Sequence, residues 1–303
     1  MKKTFITVAI PAYNEPNIKE LLLSVVKQKE MGYIIQEILL ISDGSTDNTV
    51  TLAKQVKDKR IKIFNNKIRK GKSFHLNTIF RLAKGEIIVL FDADVTLYDR
   101  NTIFNLIAPF SKNSHIKLTG GFSEQKPSRN FMEACVEISN KFFHKVRAQI
   151  KNGNNIYTCI GQVLAIKNDF AKTIMVPANV LCNDSFLYLT CLKRGHQFIH
   201  VPDAKVWYRS PNNIKDHYRQ SNRFNEAKKR LAEYFENLAI SEIEVPRVLY
   251  IKFGLLTAIR YPLHTIALKI LDFHRSKIIK TNGSKIKGTW PMALSTKKTI
   301  VYE

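Results

Sequence analysis

Residues 4 to 95 repeat one unit: an apolar strand, a loop of small polar residues, then an amphipathic helix. Strands are predicted at 5–11, 35–42, 61–65 and 86–92, with helices at about 16–29, 47–57 and 73–84 between them. In the first helix Ile18, Leu21, Leu22, Val25 and Val26 recur at helical spacing. Strands alternating with helices build a parallel sheet, because each crossover must pack back on the sheet. The expected fold class is therefore α/β, a mostly parallel Rossmann-like sheet with helices on both faces. With 303 residues and 45% hydrophobic content, the chain can bury one large core or two smaller ones.

The stretch Glu86 to Val95, EIIVLFDADV, concentrates the chemistry. Ile87 to Phe91 read as an interior strand, so Asp92 and Asp94 fall where it leaves the sheet, the edge at which open α/β sheets bind ligands. Two carboxylates so close repel unless a cation or donor groups neutralise them, and oxygen ligands suit Mg²⁺ or Mn²⁺ bridging to a phosphate. A solvated aspartate turn is the plain alternative. The loops after the first and second strands, Pro11-Ala12-Tyr13-Asn14-Glu15 and Ser42-Asp43-Gly44-Ser45-Thr46-Asp47, rim the same edge. Asp47 is assigned to capping the following helix, which leaves Asp43 unexplained by capping. Gly71-Lys72-Ser73 tempts a P-loop reading, but that motif needs glycine at 66, where asparagine stands. Lys72 is either a solvated lysine or a point charge for a phosphate at a helix start.

Beyond residue 100 the alternation ends. A helix is expected at 130–150, a strand into a turn at 161–170, a helix at 180–194 with Gly195 capping it, a strand at 198–207 and a long basic helix at 215–235. Asp184 is either an N-cap or a general base. Gln220, Arg223 and Phe224 lie at i, i+3 and i+4 on one helical face, suited to an amide, guanidinium and aromatic clamp or to an ordinary amphipathic helix.

Lys plus Arg number 48 against 25 Asp plus Glu, a formal charge of +23 that implies an anionic partner. The excess is steepest in 244–303, with 11 basic and 3 acidic side chains, against 17 and 11 in 1–100. Cys135, Cys159, Cys182 and Cys191 lack metal-type spacing and read as reduced core thiols, hence a cytoplasmic protein. The N-terminal MKKTFITVAIPAYNE breaks at Pro11 and reads as a first strand, not a signal peptide. The apolar segment Val248 to Leu271 is interrupted by Lys252, Arg260, Pro262, His264 and Lys269 and does not qualify as a membrane span. Its stripe of Leu256, Ile259, Leu263, Ile266, Ile270 and Phe273 suits either packing on the domain or lying in a membrane interface, a peripheral contact through 248–273.

With these pieces in order, the chain resembles the family 2 glycosyltransferases, particularly the branch of cellulose, hyaluronan and poly-N-acetylglucosamine synthases. The likeness spans roughly residues 5 to 225. It rests on VAIPAYNE (8–15), ISDGSTDNT (41–49), GKSFHLN (71–77), FDADV (91–95), Asn183-Asp184 and QSNRF (220–224). The resemblance implies a GT-A fold, an inverting transfer from a nucleotide-diphosphate sugar, a UDP-sugar first, and a Mg²⁺ or Mn²⁺ cofactor. It places Pro11, Ala12, Tyr13 and Glu15 beside the nucleoside and Asp43 on the base. Asp92 falls on the nucleoside and phosphate side, Asp94 on the metal and Asp184 on the acceptor proton. Gln220, Arg223 and Phe224 fall at the diphosphate and acceptor. Two departures matter: the family usually has glutamate where Asn183 stands and tryptophan where Phe224 stands. The implied acceptor is a cell-envelope or lipid-linked glycan.

The expected organisation is a GT-A domain over 1–240, with a nucleotide-sugar half at about 1–100 and an acceptor half at about 101–240. A basic amphipathic segment and tail follow over 241–303. Two rivals stand: a sugar-phosphate nucleotidyltransferase, which would need a glycine-rich basic loop where PAYNE stands, and a non-catalytic nucleic-acid or glycan binder, favoured by charge alone. Nucleic acid is the less expected partner.

Overall fold

The structure, a computed structural model, describes residues 3–281 and 294–297, without the side chains at 224, 225, 228, 277–281 and 294. Three strand–helix units open the chain: β1 (Thr4–Ala12) and α1 (Ile18–Val26), β2 (Tyr33–Asp43) and α2 (Thr49–Lys54), β3 (Ile61–Asn66) and α3 (Lys72–Leu82). β4 (Ile87–Phe91) and the short β5 (Val95–Leu97) flank the Asp92-Ala93-Asp94 turn. Then come α4 (Thr102–Ile107), β6 (Ile116–Gln125), α5 (Phe131–Gln149), β7 (Val163–Lys167), α6 (Asn168–Ala171), α7 (Asn183–Lys193) and β8 (Gln197–Tyr208). Three helices close the chain: α8 (Ile214–Ile243), α9 (Arg247–Arg260) and α10 (Pro262–Thr281), with a 3₁₀ turn at Leu294–Lys297.

All eight strands form one sheet, in the order β3-β2-β1-β4-β7-β6-β8-β5. The β3-β2-β1-β4 half is parallel, as the alternation predicts. β7 then runs antiparallel to both β4 and β6, β8 is parallel to β6, and β5 is antiparallel to β8, so the sheet as a whole is mixed. The change of direction has a chain-level cause: β6 and β7 are linked through α5, and β7 enters beside β4 from the opposite end.

Period-two alternation along β1 divides the interior between two faces. Ile6, Val8 and Ile10 meet Ile18, Leu21, Leu22 and Val25 of α1 on one side, while Ala9 joins Leu39, Ile88 and Leu90 against Leu76, Ile79 and Phe80 of α3 on the other. Each such side chain, once buried, contributes about 1.5–3 kcal/mol. Gly85 lets β4 start hard against β1, since a Cβ there would lie 2.4 Å from the Thr7 amide nitrogen.

The expected helix at 215–235 is longer. At Glu236 the backbone takes φ 47° and ψ −126°, which bends α8 before it continues to Ile243. The expected 248–273 stripe becomes two helices, divided at Tyr261-Pro262, because proline cannot donate the amide a continuous helix needs. One side of the pair packs on α5 through Tyr250 on Phe142, with ring centroids 5.0 Å apart, and His264 on Phe131 at 4.9 Å. The stripe itself remains uncovered, with Ile259 79% and Leu263 72% exposed. Among the described residues no helix is long and apolar enough to cross a membrane.

Candidate active site

The C-terminal ends of β1, β2 and β4 bring their loops to one edge, and the N-termini of α3 and α7 face them. A small cleft there is lined by Pro11, Lys72, Asp92, Gly161, Asn183 and Asp184, among others. Residues from five separate segments, up to 173 positions apart, thus share one wall. Lys72, at the start of α3, forms an ion pair with Asp92. Burial alone would lower the lysine's pKa, but Asp92 and then Asp184 outweigh it and raise it, so the ammonium is fixed as charged. The Lys72 side chain is 29% exposed.

Asp184 does not cap α7. The helix begins one residue earlier, at Asn183, and the carboxylate instead accepts from Gly161 N at 2.9 Å and Ser185 N at 2.8 Å. A Cβ on Gly161 would sit 3.1 Å from Lys72 Nζ and 3.4 Å from Asp184 Oδ2, so glycine is what allows the two side chains to converge. Asn183 points the other way in function: its Oδ1 accepts from Ser73 Oγ at 2.9 Å, tying α7 to α3.

Asp94 lies at the other side of Asp92. Burial first, then the Asp92 charge, raises its pKa, with Lys297 and Lys72 opposing. Glu15 is fully buried and its pKa is pushed up to about 7, mainly by burial, against the pull of Lys297 and with a further push from Asp94. Glu15 Oε2 pairs with Lys297 Nζ at 2.8 Å, and the same ammonium donates to Tyr13 O at 2.8 Å. This lysine comes from the 3₁₀ turn 294–297, anchored where Ser295 N donates to Asp216 Oδ2 at 2.9 Å. Sequence reasoning missed it, and the only available signal was the basic bias of the tail.

Asp43 sits deeper than a freely accessible base-reading carboxylate. Oδ1 accepts from Lys70 N at 2.6 Å and from His75 Nε2 at 2.6 Å, and Oδ2 from Gly71 N at 3.0 Å. Burial would raise its pKa, but His75 and these amides outweigh it and hold the group below the usual carboxylate value. It therefore shapes the loop that delivers Lys72. The N-cap of α2 is Asn48, without a side-chain cap, and Asp47, expected as the cap, stands one residue before it and accepts from Thr49 N at 3.0 Å. Tyr13 lies under the Arg69 guanidinium, 4.0 Å from the ring centroid. Ala12 ends β1, 3% exposed.

Gln220 and Arg223 are half-buried on α8, and the Arg223 charge acts on Lys72, which brings α8 to the cleft. The Phe224 side chain lies outside the described residues. Among the described residues no group of three or more His, Cys, Asp or Glu could hold a metal ion. The pair Asp92 and Asp94 matches in number the one or two carboxylates that a Mg²⁺-type cation characteristically takes, completing its shell with phosphate and water.

The model of glycosyl transferase family 2 matches residues 7–174. An uncharacterized glycosyltransferase of Haemophilus influenzae is 34% identical over 211 residues, covering 67% of this chain and 58% of its own length. The poly-beta-1,6-N-acetyl-D-glucosamine synthase of Staphylococcus aureus strain MSSA476 is 24% identical over 222 residues, 71% of this chain and 52% of that protein. The chain thus spans little more than half the length of these curated relatives. Among solved structures, the mannosyltransferase PcManGT from Pyrobaculum calidifontis, in complex with GDP-Man and Mn²⁺, superposes with a TM-score of 0.59 at 20% identity. That match covers 92% of this chain and 79% of the other. At that identity the likeness shows the fold, GT-A.

Proposed function

Because the chain belongs to glycosyl transferase family 2, we propose that it moves a sugar from a nucleoside-diphosphate sugar to an acceptor hydroxyl, with inversion at the anomeric carbon. Family membership favours this reading over the nucleotidyltransferase and the non-catalytic binder. One observation carries the reading: Asp184 is held by two backbone amides in the cleft where Lys72 meets Asp92. A carboxylate so oriented keeps a lone pair directed at an incoming hydroxyl, and a general base typically contributes about 10²–10⁴ in rate.

Each residue has a task. Asp184 takes the proton of the acceptor hydroxyl as that oxygen attacks the anomeric carbon. Lys72 and Arg223 supply positive charge toward the departing diphosphate, the larger electrostatic contribution in such reactions. Gln220 completes the α8 face at the diphosphate and acceptor. Pro11, Ala12 and Tyr13 with Arg69 border the nucleoside, and Asp43 fixes the loop beneath it. Asp94, with Asp92 beside it, would hold a Mg²⁺ or Mn²⁺ ion, whose chemistry there is to neutralise charge on the diphosphate. The donor half at about 1–100 and the acceptor half at about 101–240 meet at this cleft.

The uncovered α9–α10 stripe supports peripheral attachment to an anionic bilayer on its cytosolic face, with the acceptor a cell-envelope or lipid-linked glycan. Lys252, Arg260, Lys269 and Arg275 accompany the apolar residues, the composition that anionic lipid attracts. Flotation with anionic against zwitterionic vesicles tests this, and equal recovery with both would remove it. The transfer reading is tested by incubation with UDP- and GDP-sugars plus Mn²⁺, following released nucleotide and then the anomeric configuration of the product by NMR. No nucleotide release above the uncatalysed rate from any donor would refute it.

A further inference from the structure

Positive charge collects where β6 and β8 leave the sheet. Gln125 pairs with Tyr208, and Lys126 N donates to Tyr208 O at 2.9 Å, so Lys126 and Arg209, the next residues of the two strands, emerge side by side. Arg129 joins them through Glu133 of α5, whose Oε2 accepts from Arg129 N at 2.7 Å and from Arg209 Nη1 at 3.4 Å. Burial first, then the charges of Arg209 and Arg129, lower the Lys126 pKa, with Glu20 opposing. The three cations therefore repel one another at close range, a cost that a bound anion removes. Arg209 carries most of that cost. It is 9% exposed, and its Nε has no hydrogen-bond partner among the described residues. A buried donor left unbonded is expensive, and Glu133 at 3.4 Å is longer than a charge-assisted bond should be.

The chemistry of the cluster selects its anion. Guanidinium forks match phosphate oxygens, and an ammonium adds a point charge. A phosphomonoester presents three terminal oxygens, one for each cation, and carries about −1.5 to −2 at neutral pH. A diester presents two oxygens and one charge. The surroundings select the rest of the molecule. Phe131, two residues after Arg129, is 56% exposed and stacks on His264 of α10 with ring centroids 4.9 Å apart, and Leu263 beside that histidine stands in solvent. Asn130 Nδ2 donates to Asn212 O at 3.3 Å, which ties the entry of α5 to the segment that follows Arg209. The apolar stripe of α10 therefore begins at the border of the cation cluster, and a phosphate held there places its apolar part on that stripe. Tyr208 also pairs with Val95, so the cluster stands next to the strand that leaves the Asp92–Asp94 turn.

Resting on the peripheral attachment to an anionic bilayer, we propose that Lys126, Arg129 and Arg209 form a headgroup site for a lipid phosphomonoester whose chains continue along α10. The stripe and its basic companions account for attachment to any anionic surface, whereas this cluster selects one headgroup and fixes how the cleft faces the bilayer. The full chain is sedimented with phosphatidylcholine vesicles that hold either phosphatidic acid or phosphatidylserine, matched for zeta potential, and is titrated in parallel with inorganic phosphate by calorimetry. Two variants accompany the wild type: the double change Lys126→Gln with Arg129→Gln, at side chains that are half-buried and exposed, and Arg209→Lys, which keeps the buried charge and loses the fork. Expected is binding to phosphatidic acid vesicles at least about tenfold tighter than to phosphatidylserine vesicles, a preference abolished in the double variant and reduced several-fold in Arg209→Lys. Nucleotide affinity and melting temperature are expected to stay unchanged in the double variant. Equal binding to the matched vesicles, or a preference that survives the double variant, overturns the headgroup site and leaves the attachment standing. Binding of inorganic phosphate without binding to phosphatidic acid vesicles overturns the lipid as its source. A folded double variant that loses nucleotide affinity assigns the cations to the donor and overturns the site as well, whereas equal recovery on anionic and zwitterionic vesicles refutes the attachment itself.

Discussion

The sheet edge at the Asp92–Asp94 turn and the α9–α10 pair handle their awkward groups in opposite ways. At that edge, charged side chains are buried or half-buried and each is tied to another segment: Asp43 to His75, Lys72 to Asp92, Glu15 to Lys297. On α9–α10 the awkward groups are apolar and stand in solvent, Val248 at 75% and Ile259 at 79% exposure. Buried charge is costly unless compensated, and an exposed apolar stripe is costly unless covered. The first arrangement suits a small charged ligand, the second a broad apolar partner.

The sharpest way to break this contrast is at Asp184. Asp184→Asn is expected to retain nucleotide binding while transfer falls about 10²–10⁴-fold, measured as product formation at saturating donor. Asp94→Ala is expected to abolish the Mn²⁺-dependent part of nucleotide affinity, read by calorimetry with and without the ion; unchanged affinity would count against metal ligation. Next comes Gly85→Ala, which forces a methyl into the β1 backbone and is expected to cost about 3 kcal/mol in denaturant unfolding.

A pH series sharpens the picture beneath the cleft. Burial, and the Arg147 charge, push His144 down to about 3 and His200 to about 4, so both are neutral when folded and charged in the unfolded chain below about 6.5. Their stability contribution is complete above pH 6.5 and is lost as pH falls toward those values. Glu15 has the opposite sign: its raised pKa favours folding below about 4.5, and that advantage is lost as pH rises to about 7. Between pH 6 and 5, where His200 is charged only in the unfolded chain, His200→Gln is expected to make the fall in unfolding free energy shallower by about 1 kcal/mol, read by denaturant unfolding at the two pH values. The smallest effect lies on the exposed pair: Ile259→Ser is expected to shift stability by less than about 0.5 kcal/mol, yet to reduce recovery on anionic vesicles. A large stability loss would mean that the stripe is internal after all.

The parallel half of the sheet was legible because β1, β2 and β4 are apolar runs and β1, β2 and β3 are each followed by a loop and a helix. β5 has three residues, and β6 passes through Gly120-Gly121, so neither carries a periodic signal. The antiparallel entry of β7 was invisible for a different reason, since direction is decided by pairing across 70 or more positions. At the site, Lys72, Asp92, Asp94 and Asp184 announced themselves by residue type at strand ends and helix starts. Asp43 was found, but its saturation by Lys70, Gly71 and His75 depends on a loop path that no local pattern encodes. Lys297 lies 282 positions from its partner Glu15, and nothing in either segment names the other.

The reach of that lysine back to the first loop has a consequence for synthesis. The carboxylate at 15 leaves the ribosome 282 residues ahead of its counter-charge at 297. All eight strands among the described residues lie before residue 209, so a nascent chain holds every strand of the sheet well before it holds the lysine that neutralises this buried acid.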